Sequence, residues 1–242
     1  MKKILCIALL LSSLSTWAAD NSMKSATLDL NNLPHKILLV DPEVLVKELS
    51  VGGLPEKVDE WSNQAKTNIN NALNNQINNR HLFDKVDQPK DLPAEQVDAI
   101  EEHAALYQVV GFNALYFGKS QFDAWKHKQT EFDYTLGNGL TDLVDKTGAD
   151  AALFIVGEDY ISSGGRKAAR VFAALFGVIL PASPTFLSVG LVDLKTGNLL
   201  WMNYATAMDS KDLRKPEDVN AMIDDLFLTY PGRVSTTAST AK

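Results

Sequence analysis

The sequence predicts a single α/β domain, a mixed sheet of about five strands with helices packed mainly on one face. Three observations predict it. Short apolar runs such as Lys36–Val40 (KILLV) and Ala151–Val156 (AALFIV) have the length and bounding residues of buried strands. Phe186–Leu194 and Leu199–Ala207 flank Lys195–Thr196–Gly197–Asn198, whose Gly and Asn suit positive φ, so the two runs read as a hairpin. Stretches with apolar residues at steps of three and four separate these runs and read as helices. The chain has 242 residues, 45% hydrophobic and 22% charged, enough to bury a core without staples.

Residues 1–18 read as a signal peptide. Met1–Lys2–Lys3 is a basic start, Ile4–Leu14 is nearly all apolar, and Thr16–Trp17–Ala18–Ala19 supplies small residues for cleavage near Ala18. The apolar stretch is short of the roughly 20 residues of a spanning helix. Its removal takes the only cysteine, Cys6, and shifts the formal charge from −7 to −9 through loss of Lys2 and Lys3. Cys6 precedes most of the apolar stretch, the wrong place for a lipidated cysteine, so the expected product is periplasmic or otherwise exported, and not lipidated. A cysteine-free chain suits an oxidising compartment. The acidic balance argues against a nucleic-acid partner.

Residues 19–34 read as an irregular lead-in. Val44–Val51 alternates partly and reads as a second strand, ended by Gly52–Gly53. A helix is expected from Pro55 to Arg80, with Val58, Trp61, Ala65, Ile69, Leu73 and Ile77 in one stripe. Its other faces carry eight Asn between Asn63 and Asn79, poor helix formers, so packing must hold it. They read as a solvated surface or an amide-rich binding face. His81–Val86 is a short strand candidate. Helices follow from Leu92 to about Phe117 and from Glu131 to Thr147, the second stopped by Gly148. A last helix runs from Lys215 to Tyr230, entered through Pro216. Residues 35–232 form one domain with an apolar insertion at 163–185, and 233–242 is a disordered tail.

Motifs of chemistry are absent. There is no phosphate-binding glycine loop, no H-E-x-x-H and no G-x-S-x-G. Gly164–Gly165–Arg166–Lys167 lacks the spacing and the hydroxyl of a nucleotide loop. His35, His81, His103 and His127 are scattered. Glu158–Asp159 is the best acidic pair, but adjacent strand residues point to opposite faces. No catalytic residue, cofactor or metal site is expected.

The odd segment is Ser162–Ser188. Ser162–Ser163–Gly164–Gly165 reads as a break, Arg166, Lys167 and Arg170 follow, and Val171–Leu180 is wholly apolar. Pro181 and Pro184 limit a helix to about Lys167–Leu180, too short to span a membrane. It reads as a helix buried on the domain's own sheet, as an exposed element buried in a partner or a second copy, or as an element lying on a membrane surface. The candidate contact residues are Val171, Phe172, Leu175, Phe176, Val178, Ile179 and Leu180, with Arg166, Lys167 and Arg170 as a polar rim.

Gly148–Ala149–Asp150 leading into AALFIV, then Val189–Gly–Leu–Val–Asp–Leu–Lys–Thr–Gly197 and Leu199–Leu–Trp201, resembles the core motif of a group of bacterial envelope proteins. These share the fold of the TolB amino-terminal domain and include the curli secretion-channel lipoproteins and the lipoprotein activators of penicillin-binding proteins. The resemblance implies a TolB amino-terminal-domain-like fold and structural roles for Gly148, Asp150, Asp193, Thr196, Gly197 and Trp201. The function expected is that of a non-enzymatic envelope protein acting through protein–protein contact, in envelope assembly or secretion support. The alternatives are a self-assembling component at a membrane surface and an envelope hydrolase using Glu158 or Asp159.

Overall fold

The structure, a computed structural model, describes residues 21–119 and 123–232. The signal peptide with its cleavage site near Ala18 and the tail 233–242 lie outside the described residues. The chain order is β1 (Met23–Lys24), β2 (Lys36–Leu39), β3 (Glu43–Leu49), β4 (Pro55–Lys57), α1 (Asp59–Arg80), β5 (Asp84–Asp87), α2 (Ala94–Lys119), a 3-10 segment (Asp123–Gln129), α3 (Asp142–Thr147), β6 (Ala151–Ser162), α4 (Gly164–Leu175), β7 (Pro184–Asp193), β8 (Leu199–Met208) and α5 (Pro216–Phe227).

The α/β class and the mixed sheet are as expected, but the sheet is larger and is covered on both faces. Among the described residues it has eight strands, ordered β1-β8-β7-β6-β2-β5, with β3 also paired to β6 and β4 paired to β3. β6 is the axis. On one side β7 pairs antiparallel along Ala151–Asp159. On the other, β2 pairs parallel with Ala151–Leu153 and β3 parallel with Val156–Ser162. β2 and β3 thus lie end to end along one strand, with Pro42 in the gap, where no ladder N–H is needed.

Period-two alternation sorts β6 between two cores. Ala151, Leu153 and Ile155 face α1 and α5, with Ile37, Val44, Val46, Leu187, Val189 and Trp201. Ala152, Phe154 and Val156 face α2 and α3, with Leu38, Val40, Val192, Leu199 and Met202. A strand apolar at both parities needs cover on both faces, which is why helices on one face do not suffice.

Other differences are local. Met23 and Lys24, read as lead-in, pair with Met202 and Trp201 at the sheet edge. Pro55 does not open a helix: Pro55–Lys57 pairs with Lys47–Leu49, and α1 begins at Asp59. Its amides are partly engaged, since Gln64 and Asn68 donate to the Arg214 and Leu213 carbonyls and Gln76 to Asp224. The third helix shrinks to Asp142–Thr147, because Gly137 takes φ 81 and Thr135 bridges Asn198. Leu136, Leu140 and Leu143 are buried all the same.

Tyr107 of α2 fixes that helix to the sheet. It is fully buried, stacks on Phe154 with ring centroids 5.9 Å apart, and shares a 2.8 Å hydroxyl hydrogen bond with Ser188. Gly190 of β7 makes the room: a Cβ there would lie 2.2 Å from the Tyr107 ring. Gly190→Ala is expected to cost roughly 1–3 kcal/mol through overpacking. Combined with Tyr107→Ala the loss should be smaller than the two separate losses together, read by urea or thermal unfolding.

Candidate functional site

α4 interrupts the meander between β6 and β7. It is a fixed helix rather than a flexible break. The Ser163 Oγ accepts the Arg166 N–H at 3.2 Å, an N-cap bond. At the other end Gly177 takes φ 74, its N–H bonds the Ala174 carbonyl, and the Val178 N–H reaches back to Ala173. This paired closure at a left-handed glycine stops the helix at Leu175, short of the expected Leu180.

The helix is inside out. The inward positions are Arg166, Ala169, Arg170 and Ala173, at steps of three, one and three. Apart from Lys167, the large outward side chains of the helix and of the turn after it are apolar: Val171, Phe172, Leu175, Phe176, Val178 and Ile179 are all more than half exposed, Ile179 to 92%. Phe172 and Phe176 touch ring to ring, with centroids 5.1 Å apart. Of the three readings open for this segment, burial on the chain's own sheet is therefore excluded. Leu180 is half-buried, at the return to β7.

The expected polar rim is corrected in two of its three members. Arg166 is buried, its guanidinium over Gly53, donating to the Pro181 carbonyl at 3.5 Å. Arg170 donates twice to Asp209, at 2.8 and 2.7 Å. Both cations fasten the helix to the domain instead of meeting a partner. Lys167 is exposed. The base of the arm is clamped further: the Ser162 and Ser183 hydroxyls bond at 2.6 Å, and the Ser183 N–H donates to Asp209 at 2.9 Å. Asp209 itself adopts φ 54, a left-handed conformation that short acidic side chains tolerate.

A second feature lies on the α2 face. β6 and β7 run on beyond α2, leaving their far ends uncovered. The result is a groove of about 510 Å³ whose floor includes Val156, Gly157, Tyr160, Pro184 and Phe186, with Tyr107, Val109 and Phe112 of α2 as a wall. Val109 and Phe112 are 60% and 64% exposed. At its rim Glu158 accepts from Lys47 at 3.2 Å and from the Tyr160 hydroxyl at 2.6 Å. That carboxylate, with burial adding, holds the Tyr160 phenol above its ordinary range.

Glu158 and Asp159 do face opposite sides of the sheet. Asp159 is fully buried on the α1 side, accepting from the Thr185 hydroxyl and the Leu213 N–H, both at 2.8 Å. Their separation gives no shared acid–base site. His103 is buried and bonds the Ala99 carbonyl through Nδ1 at 2.7 Å. Among the described residues no cluster of three metal-ligating side chains occurs, and no helix is long and apolar enough to cross a membrane.

The motif residues stand apart from both surfaces. Gly148 ends α3 at φ 64, and the Asp150 carboxylate accepts the His35 and Lys36 N–H groups at 3.1 Å, holding β2 beside β6. Asp193 Oδ1 accepts from the Lys195 and Thr196 N–H groups, and Gly197 makes the reversal at φ 71. Trp201 is fully buried against Phe227 and Tyr230. Sequence reasoning missed the groove, Asp209 and the Ser162–Ser183 clamp. Each depends on residues far apart in the chain, and none carries a motif.

No family model matches the chain, and no curated protein matches it. Solved structures similar to it include the PelC dodecamer from Paraburkholderia phytofirmans, at 9% identity and a TM-score of 0.41, covering 88% of this chain and 96% of that one. Lipoprotein GNA1162 from Neisseria meningitidis is 15% identical, with a TM-score of 0.30 and coverage of 72% and 81%. The LpoB C-terminal domain from Salmonella enterica is 11% identical, with a TM-score of 0.28 and coverage of 72% and 82%.

Burial raises the Asp159 carboxyl above its ordinary value of 3.8, against the lowering effect of the bonds from Leu213 and Thr185. A raised native value means that its contribution is complete in acid and is lost as pH rises through that value. Asp159→Ala is therefore expected to cost about 1–3 kcal/mol in acid by stranding the buried Leu213 N–H. The gap to the parent should narrow toward neutral pH in a series of urea melts. A gap that widens with pH would contradict the raised value.

Proposed function

We propose that this chain is an exported envelope protein that works without catalysis, by seating its α4 arm in another protein chain. One observation carries the reading: an amphipathic helix turned so that its apolar face meets solvent while two of its three cations, Arg166 and Arg170, meet the domain. Soluble monomers seldom expose a contiguous apolar patch of more than a few hundred Å². The six outward side chains of the arm amount to roughly 700 Å², close to the ~800 Å² that each partner contributes to a standard interface. The clamp at Ser162, Ser183 and Asp209 supports a preorganised contact, since an arm already fixed loses little freedom on binding.

Charge favours a protein over a lipid surface. A helix lying on an anionic membrane presents lysine and arginine to headgroups. Here Arg166 is buried and Arg170 is paired with Asp209, while the chain as a whole carries −7. The hydrolase alternative has little support, because Glu158 is engaged by Lys47 and Tyr160 and Asp159 is sealed from solvent.

A photo-crosslinking residue placed at Ile179 in intact cells tests the proposal. Discrete protein adducts are expected, and they should vanish in a Phe172→Glu, Leu175→Glu variant whose unfolding transition is unchanged. Adducts indifferent to those substitutions would overturn the reading. So would flotation of the purified protein with phosphatidylglycerol vesicles in the absence of any protein adduct.

A further inference from the structure

We infer that the arm's receptor is the groove of a second copy of this chain, so that α4 of one molecule seats between α2 and the far ends of β6 and β7 of the next. The inference rests on the protein-binding reading of the arm and names its partner.

Both halves of such a contact are present on one chain, and neither satisfies the other within it. The arm's apolar side chains are 52–92% exposed, and on the groove wall Val109 and Phe112 are 60% and 64% exposed. The groove is concave, mainly apolar and about 510 Å³, within the roughly 300–1,000 Å³ range of clefts that enclose a ligand's apolar body. On the arm the rings of Phe172 and Phe176 lie side by side, 5.1 Å apart, and are 64% and 71% exposed. Seating aromatic anchors in an apolar pocket is the pattern of interface hot spots.

Charge agrees with the pairing. Glu158 at the groove rim is already engaged by Lys47, and an adjoining cleft that shares Gln108 and Gly157 with the groove carries Glu101 and Glu43, the latter paired with Lys66. The arm brings exposed Lys167 beside its apolar row and no carboxylate of its own: Gly164–Leu180 contains no Asp or Glu. Glu101 is the charge left on that side for Lys167 to meet. Area points the same way. The arm's roughly 700 Å² nearly matches the ~800 Å² one side contributes to a stable interface, before any groove-side area is counted.

Complementary variants of the purified full-length protein test this, with mass followed by analytical ultracentrifugation across a concentration series. The parent is expected to self-associate. Phe172→Glu with Phe176→Glu, on the arm, and Phe112→Glu, on the groove, should each weaken association on the order of 30-fold or more, the effect of losing a hot-spot anchor. Mixing the two variants should restore a complex, because one intact arm then meets one intact groove. Phe112→Ser serves as a second groove variant, and unchanged unfolding transitions verify folding. A monomeric parent, or association lost on the arm variant yet indifferent to both groove variants, overturns the inference. If the Ile179 crosslink then captures a different protein, the protein-binding reading survives and only its partner is wrong. If the arm substitutions change neither association nor crosslinking, both fail.

Discussion

The backbone ladder of β6 is the constraint on which everything else depends. It is hydrogen-bonded on both edges, to β7 on one and to β2 and then β3 on the other. Its side chains alternate between two cores, so a slip of one residue would send Leu153 and Phe154 to the wrong helices. Asp150 pins the start of that register by accepting the backbone N–H groups of His35 and Lys36. At the other end Ser162 joins the clamp beneath α4. One strand thus sets where the sheet begins, how its faces divide and where the arm leaves it.

The two proposed surfaces lie together at the far ends of β6 and β7, where Glu158, Tyr160, Pro184 and Phe186 keep partial exposure on the α2 face. On the α1 face the same far ends are closed, with Asp159 tied to Thr185 and Leu213. On the α2 face they stay open as the groove. α4 leaves the sheet at the same end, and buried Arg166 and the Arg170–Asp209 pair hold its polar side against the domain. Exposed ion pairs are weak on their own, but this one is bidentate and shares Asp209 with the Ser183 N–H.

Much of this was legible in the sequence, for reasons that differ by element. The Ala151–Val156 run, the Phe186–Ala207 hairpin and the Gly148 helix stop are local signals, written in a few adjacent residues. The apolar run Val171–Leu180 was visible as an anomaly, but its orientation was not. Whether Arg170 faces a partner or the domain depends on Asp209, 39 residues further on. The edge strands Met23–Lys24 and Pro55–Lys57 escaped because two or three residues carry no period, and neighbouring strands alone give them their conformation. The groove could not be read at all, since it is the absence of a covering helix over strand ends distant in sequence. Helices on both faces were implied by the two-sided apolarity of AALFIV, whose consequence for helix placement is plain once both cores are seen.

The parallel pairing of β2 and β3 with β6 sets an order of events for a chain made from its amino terminus. Ile37 waits for Ala151 and Val46 for Asp159, more than a hundred residues later. Until then the first half holds only the short ladders of β2 with β5 and β3 with β4, too few strands to stand alone. The β6–β7–β8 meander is the longest run of the sheet whose neighbours in space are neighbours in sequence, so it is the natural nucleus, on which the amino-terminal strands would dock last. Until β6 is made, β2 and β3 therefore lack the central strand that completes their ladders.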